Sequence, residues 1–310
     1  MLASALAFWL LLASSPAMGL DPTVIGTSLQ KRVNGALAMM QYSISPDVTS
    51  SALSISSGEG DTNGMYMTQF GGGFTWSKSL PLYLEGNASF SRYDPKFIFS
   101  DGTMQRKVPL QWDTVVGTVG VGWDFPIAKE LVLRPIANFT LGRVLSDVTL
   151  AGRVIEGETG LNIDFLDNMH LDAVGFGGSL MLDYEHYREM YEIDAELRFT
   201  NIHLKSFGGT SEALQGSALA ESLGIWTRYR APTGLRALDR PVRYVLEYAF
   251  TRYFGPDGDM LGFNNLNSIG VGIELDTSAL DRIATRWRLI GRFRFGQNVR
   301  GWGVGLGISF

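Results

Sequence analysis

The stretch Gly301-Trp302-Gly303-Val304-Gly305-Leu306-Gly307-Ile308-Ser309-Phe310 closes the 310-residue sequence and alternates at every step. Even positions are large and apolar; odd positions are glycine or serine. Successive side chains of a strand point to opposite faces, so as a strand this segment has one oily face and one nearly bare face. Such a face suits a sheet that closes on itself in lipid, where an open edge would strand unpaired backbone groups in hydrocarbon.

Working outward, the same period-two pattern recurs along the chain. It predicts strands over 50–57, 65–77, 81–93, 113–125, 130–144, 171–185, 189–204, 218–230, 241–254, 264–276, 285–297 and 299–310. Most reach the roughly 9–11 tilted residues that cross a bilayer. Tight connections at 77–81, 126–129 and 186–188 alternate with long ones at 94–112, 145–170 and 205–217. Short periplasmic turns and long outer loops are the asymmetry of outer-membrane barrels. The expected fold class is all-β: a closed antiparallel transmembrane β-barrel of about 12 strands, ten or fourteen being the alternatives.

Composition agrees. Charged residues make up only 18% of the chain, glycine is abundant at 37 residues, and there is no cysteine to build a disulfide or thiolate site. A net charge of −5 argues against nucleic acid as a partner.

The chain divides into three parts. Residues 1–19 are expected to be a secretory signal peptide: 2–13 is apolar but too short to span, and Ala17-Met18-Gly19 offers a small-x-small cleavage site, although no Lys or Arg precedes the apolar run. Residues 20–45 are expected to hold a helix and linker. Asp21-Pro22 is a good helix start, and Gly26, Gly35, Ala36 and Ala38 keep the helix thin enough for a barrel lumen, preferred here over a loose periplasmic arm. Residues 46–310 form the barrel, with Leu53 and Ile55 expected to point outward from its first strand.

The segment 285–297 decides which face meets lipid. Trp287, Leu289, Phe293 and Phe295 share one side; Arg286, Arg288, Arg292 and Arg294 share the other. An arginine on the lipid face costs about 2–4 kcal/mol near the midplane, so the arginines must face the lumen. Val242, Tyr244, Leu246, Tyr248 and Phe250 are outward for the same reason, with Arg243 and Glu247 inward; Ile193, Leu197 and Phe199 are outward, with Glu192, Asp194, Glu196 and Arg198 inward.

The candidate site residues are these lumen charges: Asp183, Glu185, Glu192, Asp194 and Glu196 on one flank, and Arg228, Arg230, Arg243, Arg286, Arg288, Arg292 and Arg294 on the other. One reading is structural, with acid and base pairing across a narrow barrel or with Lys31 and Arg32 of the helix. The other is a transverse field across a small pore that selects charged solutes.

Enzymatic chemistry has few candidates. His170 and His203 are expected to fall opposite each other at the outer rim near Asp167 and Asp172, a possible lipid-directed site lacking a nucleophile; His186 is expected in a turn, solvated. Asp147, Glu156, Glu158, Asp164 and Asp167 make one long loop acidic, without the spacing of a calcium loop. Asp257-Gly258-Asp259 is turn chemistry, and the acceptor-like Asn87-Ala88-Ser89 and Asn138-Phe139-Thr140 fall mid-strand. No catalytic residue, metal or cofactor is expected.

With a thin helix, twelve strands and the terminal Phe310, the chain resembles the translocator barrel of autotransporters. Gly305, Ile308 and Phe310 resemble the signal that the barrel-assembly machinery reads during insertion. Only Leu20 and Asp21 stand between the cleavage site and the helix, so the resemblance is to a solitary, passenger-less barrel. It implies residence in the outer membrane of a Gram-negative cell, as a non-enzymatic structural or surface protein, rather than secretion. A small porin-like channel and a lipid-directed enzyme are the alternatives. The expected partners are outer-membrane lipids and lipopolysaccharide, and the expected state is a monomer.

Overall fold

The computed structural model describes residues 37, 40–44, 50–57, 63–100, 105–109, 112–146, 170–207, 216–255, 263–277, 285–297 and 299–309. The signal-peptide segment, most of the expected helix with Lys31 and Arg32, the acidic loop 147–168, residues 257–259 and Phe310 lie outside them.

Among the described residues, one short helix, α1 (Gln41–Ile44), precedes fourteen strands. They are β1 (Ser50–Ser57), β2 (Asn63–Thr75), β3 (Leu82–Ser100), β4 (Gln105–Pro109), β5 (Trp112–Trp123), β6 (Phe125–Ala128), β7 (Leu131–Ser146), β8 (His170–Tyr187), β9 (Glu192–Phe207), β10 (Ser217–Ala237), β11 (Arg240–Phe254), β12 (Asn265–Asp276), β13 (Arg286–Gly296) and β14 (Val299–Ser309). Twelve of them form the ring. Each pairs antiparallel with its neighbour in the order β1-β2-β3-β5-β7-β8-β9-β10-β11-β12-β13-β14, and β14 returns to β1 with Ser50 opposite Leu306 and Ser57 opposite Val299. No edge remains, which is the condition for crossing hydrocarbon with strands.

The two strands outside the ring are extensions of it. β4 pairs only with residues 96–100 of β3, so part of the expected long loop is a two-stranded ribbon at the long-loop end; β6 is a short flap on the start of β7. At the opposite end, β10 and β11 meet in a two-residue turn in which Leu238 and Asp239 both have positive φ, 51° and 59°. That is the geometry of a tight hairpin whose twist matches its strands.

Alternation sets the two faces throughout. On β5, Thr114, Val116, Thr118, Gly120 and Gly122 are buried, while Val115, Val119, Val121 and Trp123 are exposed. On β13, Arg288, Arg292 and Arg294 are buried, whereas Trp287 and Leu289 are half exposed. The residues facing away from the axis are therefore the oily ones. Phe70 and Trp302 are each 71% exposed, in a belt with Phe176, Val271 and Leu306 that continues around the ring. A water-soluble monomer does not present such a continuous apolar surface, and only hydrocarbon matches it.

One facing differs from expectation. β1 pairs Leu53 with Gly303 and Met67, which belong to the lumen face, and Ser54 with Trp302 and Tyr66 on the lipid face. Leu53 and Ile55 thus occupy lumen positions. A serine-rich strand carries too little apolar contrast to declare its own face, so its neighbours decide it.

Candidate functional site

The lumen is divided along the axis. Its half nearer the long loops is apolar. Leu37, Met40 and Ile44, almost fully buried, lie against the inward residues Val116, Val144, Leu171, Ala173, Ile202, Leu204, Ala218 and Ala220. Tyr42 packs against Tyr253 and Phe263 at ring-centroid distances of 4.4 and 5.4 Å, beside Met67, Leu266 and Val299. Two polar contacts anchor the segment: Asn87 donates to the Ser43 carbonyl, and Ser43 Oγ donates to Met67 Sδ at 3.4 Å. Gly142 explains the close approach, since a Cβ there would stand 2.8 Å from Met40 Sδ.

The other half of the lumen is ionic, and it contains nearly all of the candidate residues. Glu192 receives Arg286 at 2.6 Å, Arg243 at 2.5 Å and Arg230 at 3.1 Å. Glu274 is wholly buried and lies 3.2 Å from Arg288 and 3.4 Å from Arg230, with Arg286 and Arg243 at 3.8 and 3.9 Å. Asp194 holds Arg230 at 2.8 Å, and Glu247 joins Arg228 at 3.0 Å to Arg292 at 2.8 Å. Arg294 is buried on the same face. A second cluster sits on β3, β7, β8 and β9. Arg134 bridges Asp124 and Asp183, the latter at 3.0 Å, with its guanidinium 3.9 Å from the Tyr83 ring centroid. Arg198 donates twice to Glu85, at 2.8 and 2.7 Å, and Asn138 donates to Glu85 at 2.7 Å. Glu196 lies on this inward face, while Glu185 is exposed at its turn-side rim.

Glu192 and Asp194 of the acidic flank are in contact with the basic flank rather than set across an open gap from it. Burying a charge costs several kcal/mol unless a partner compensates; among the described residues Glu192, Asp194, Glu247 and Glu274 each have two or more guanidinium partners, and Glu85, Asp124 and Asp183 have one each. Glu85, Asp124, Arg134 and Glu274 had not been singled out in the sequence. Glu274 was within reach: Ile269, Val271 and Ile273 are outward, so Gly270, Gly272 and Glu274 must point inward.

The rim histidines do not form a pair. His203 is opposite Phe176, and His170 is opposite Leu145, which leaves the two histidines offset by six positions of β8. At about 3.3 Å per residue this is roughly 20 Å, too far for a shared metal or proton relay. Both are exposed on the lipid side, and His170 Nε2 lies 3.9 Å from Asp172. His186 is not in a turn. It is the penultimate residue of β8, shares a hydrogen bond through Nδ1 with Glu130 Oε2 at 2.7 Å, and stacks between Tyr184 and Tyr191 at 6.1 and 5.5 Å. Tyr229 and Tyr244 continue that row, forming an aromatic girdle at the short-turn end. Glu130 also takes Arg188 at 2.9 Å, and these two partners hold its carboxyl below the ordinary value of 4.5.

Comparison with solved structures finds outer-membrane barrels. The transport unit of the autotransporter AIDA-I from Escherichia coli is 14% identical over 90% of this chain and 99% of that one, with a TM-score of 0.48. The translocator domain of NalP from Neisseria meningitidis is 11% identical over 93% and 97%, with a TM-score of 0.44. The β-domain of the Bordetella autotransporter BrkA is 10% identical over 85% and 100%, with a TM-score of 0.43. No protein-family model and no curated protein matches the sequence. The chain's own wall settles the class, because a closed, oily-faced antiparallel ring has one solvent that suits it. The protein is an outer-membrane β-barrel.

Proposed function

We infer that this barrel works as a closed, non-enzymatic anchor of autotransporter-translocator type, presenting its outer loops at the cell surface rather than conducting solutes. The observation that carries this reading is the seating of Leu37, Met40 and Ile44 inside the lumen. They fill the section nearer the long loops with apolar side chains, and the ionic section behind them is cross-linked by its own pairs. Among the described residues, both sections are thus occupied by the chain's own side chains. The apolar alternation of β14, with Ile308 and Gly305 near its end, fits insertion by the barrel-assembly machinery as a monomer.

Planar-bilayer conductance tests this. Full-length protein should give no steady current, and protein lacking residues 20–45 should open. Steady conductance from the full chain, unchanged by the deletion, would sink the anchor reading. The second reading is a small charged-lumen channel. It is favoured by the arginines of β10, β11 and β13 lying on one flank of the lumen, with carboxylates of β8 and β9 on the other. On that reading the segment moves aside, and the current of the full chain depends on charge.

A further inference from the structure

The lipid-facing wall is not uniform. Where β1 closes the ring, its outward positions Ala52 and Ser54 are small, and they fall between Val304 and Thr68 and between Trp302 and Tyr66. A groove of about 780 Å³ lies there in the outer wall, its lining including Tyr66, Phe90, Ile269, Val271, Phe293 and Trp302. Its volume lies within the roughly 300–1,000 Å³ of ordinary ligand clefts, but it opens into hydrocarbon. Phe293 and Trp302 pack at 4.6 Å as one rigid side of it.

Two cations mark its outer end. Arg92 is level with Tyr66 and exposed, held in a fork by Asp113 through two hydrogen bonds of 2.8 Å. Arg300 is one step further out, opposite Ser56 and beside Trp302 on the same face. It is exposed, and no carboxylate among the described residues pairs with it. An arginine turned toward lipid is tolerated only near the interface, and there its natural counter-ion is a lipid phosphate. This end of the barrel is the long-loop end, hence the outer leaflet.

We propose that the groove at the β1 closure is a binding site for the phosphorylated glycolipid of the outer leaflet, with acyl chains lying between Tyr66 and Trp302 and a phosphate on Arg300. The apolar cleft and a cation without a carboxylate partner among the described residues are independent features, and a lipid A-type amphiphile satisfies both. Arg92, already forked by Asp113, positions the mouth of the groove and is a weaker phosphate contact. The site lies outside the lumen, so it stands or falls separately from the anchor reading.

Native mass spectrometry of delipidated full-length protein in micelles, titrated with hexa-acylated diphosphoryl lipid A or with phosphatidylglycerol, tests the site. One lipid A should bind with preference over phosphatidylglycerol. Arg300→Ala should weaken it about tenfold. Gly291→Phe should weaken it at least as much, because Gly291 opens on the groove and a Cβ there meets only Val271 O at 3.9 Å, leaving the wall undisturbed. Heat-dependent gel mobility identifies which variants are folded, and either one alone decides the test. Equal binding of phosphatidylglycerol, or lipid A binding indifferent to Gly291→Phe or to Arg300→Ala, overturns the proposal.

Discussion

The two halves of the lumen solve the same problem with opposite chemistry. Toward the outer loops, Leu37, Met40 and Ile44 fill the barrel with side chains that need no partner. Toward the periplasmic turns, the space is filled by guanidinium and carboxylate groups that cannot be buried without one. The first half is held by shape and tolerates exchange among apolar residues of similar volume. The second is held by pairing, so removing one member exposes the others to an uncompensated charge. The difference teaches where the structure is brittle.

Glu274→Ala should have the largest effect. It deprives Arg288 and Arg230 of a fully buried partner, and breaking a buried pair from one side costs about 3–5 kcal/mol. Urea unfolding in micelles measures it. A shift under about 1 kcal/mol, the range of an exposed pair, would mean that water reaches this section. Next is Leu37→Ala, expected to cost about 2–5 kcal/mol as a cavity, with Met40→Leu nearly silent by the same assay. If Met40→Leu is as harmful as Leu37→Ala, shape is not what holds the outer half.

The smallest effect is local. The Glu130 carboxyl is held below 4.5 by His186 and Arg188. A group lowered on folding contributes stability at pH values above its unfolded value, and that contribution disappears as pH falls through the lowered one. Protection of the Arg188 amide, which donates to the Tyr191 carbonyl, should therefore fall as pH drops through the lowered value once intrinsic exchange is divided out, and Glu130→Gln should abolish that fall. Protection that stays constant with pH in the unaltered chain would detach the aromatic girdle from this carboxylate.

Much of this was legible in the sequence. The strand count and the inward arginines followed from period two, because a charge on the lipid side is expensive enough to exclude a slip of one residue. What failed was register. With the hairpin placed at 186–188, His203 appeared to face His170; the connection actually spans 188–191, and its partner becomes Phe176. A register shift by an even number of residues leaves every face unchanged and every partner altered. Pairings between distant strands, such as Arg286 with Glu192, depend on barrel curvature and tilt, which no local pattern carries. The seated segment was foreseen as a thin helix in the lumen but its partners were not, since these lie on many separate strands, β2, β3, β5 and β11 among them.

The central claim is that the chain's own residues fill the lumen, and the absence of cysteine makes this directly measurable. Met40 approaches the inward Gly142, while Leu141 beside it faces lipid. In membranes, the Met40→Cys/Gly142→Cys double variant should be joined almost completely by a short methanethiosulfonate cross-linker. The Met40→Cys/Leu141→Cys pair should stay separate. Equal cross-linking of both pairs, or of neither, would contradict a barrel closed from within.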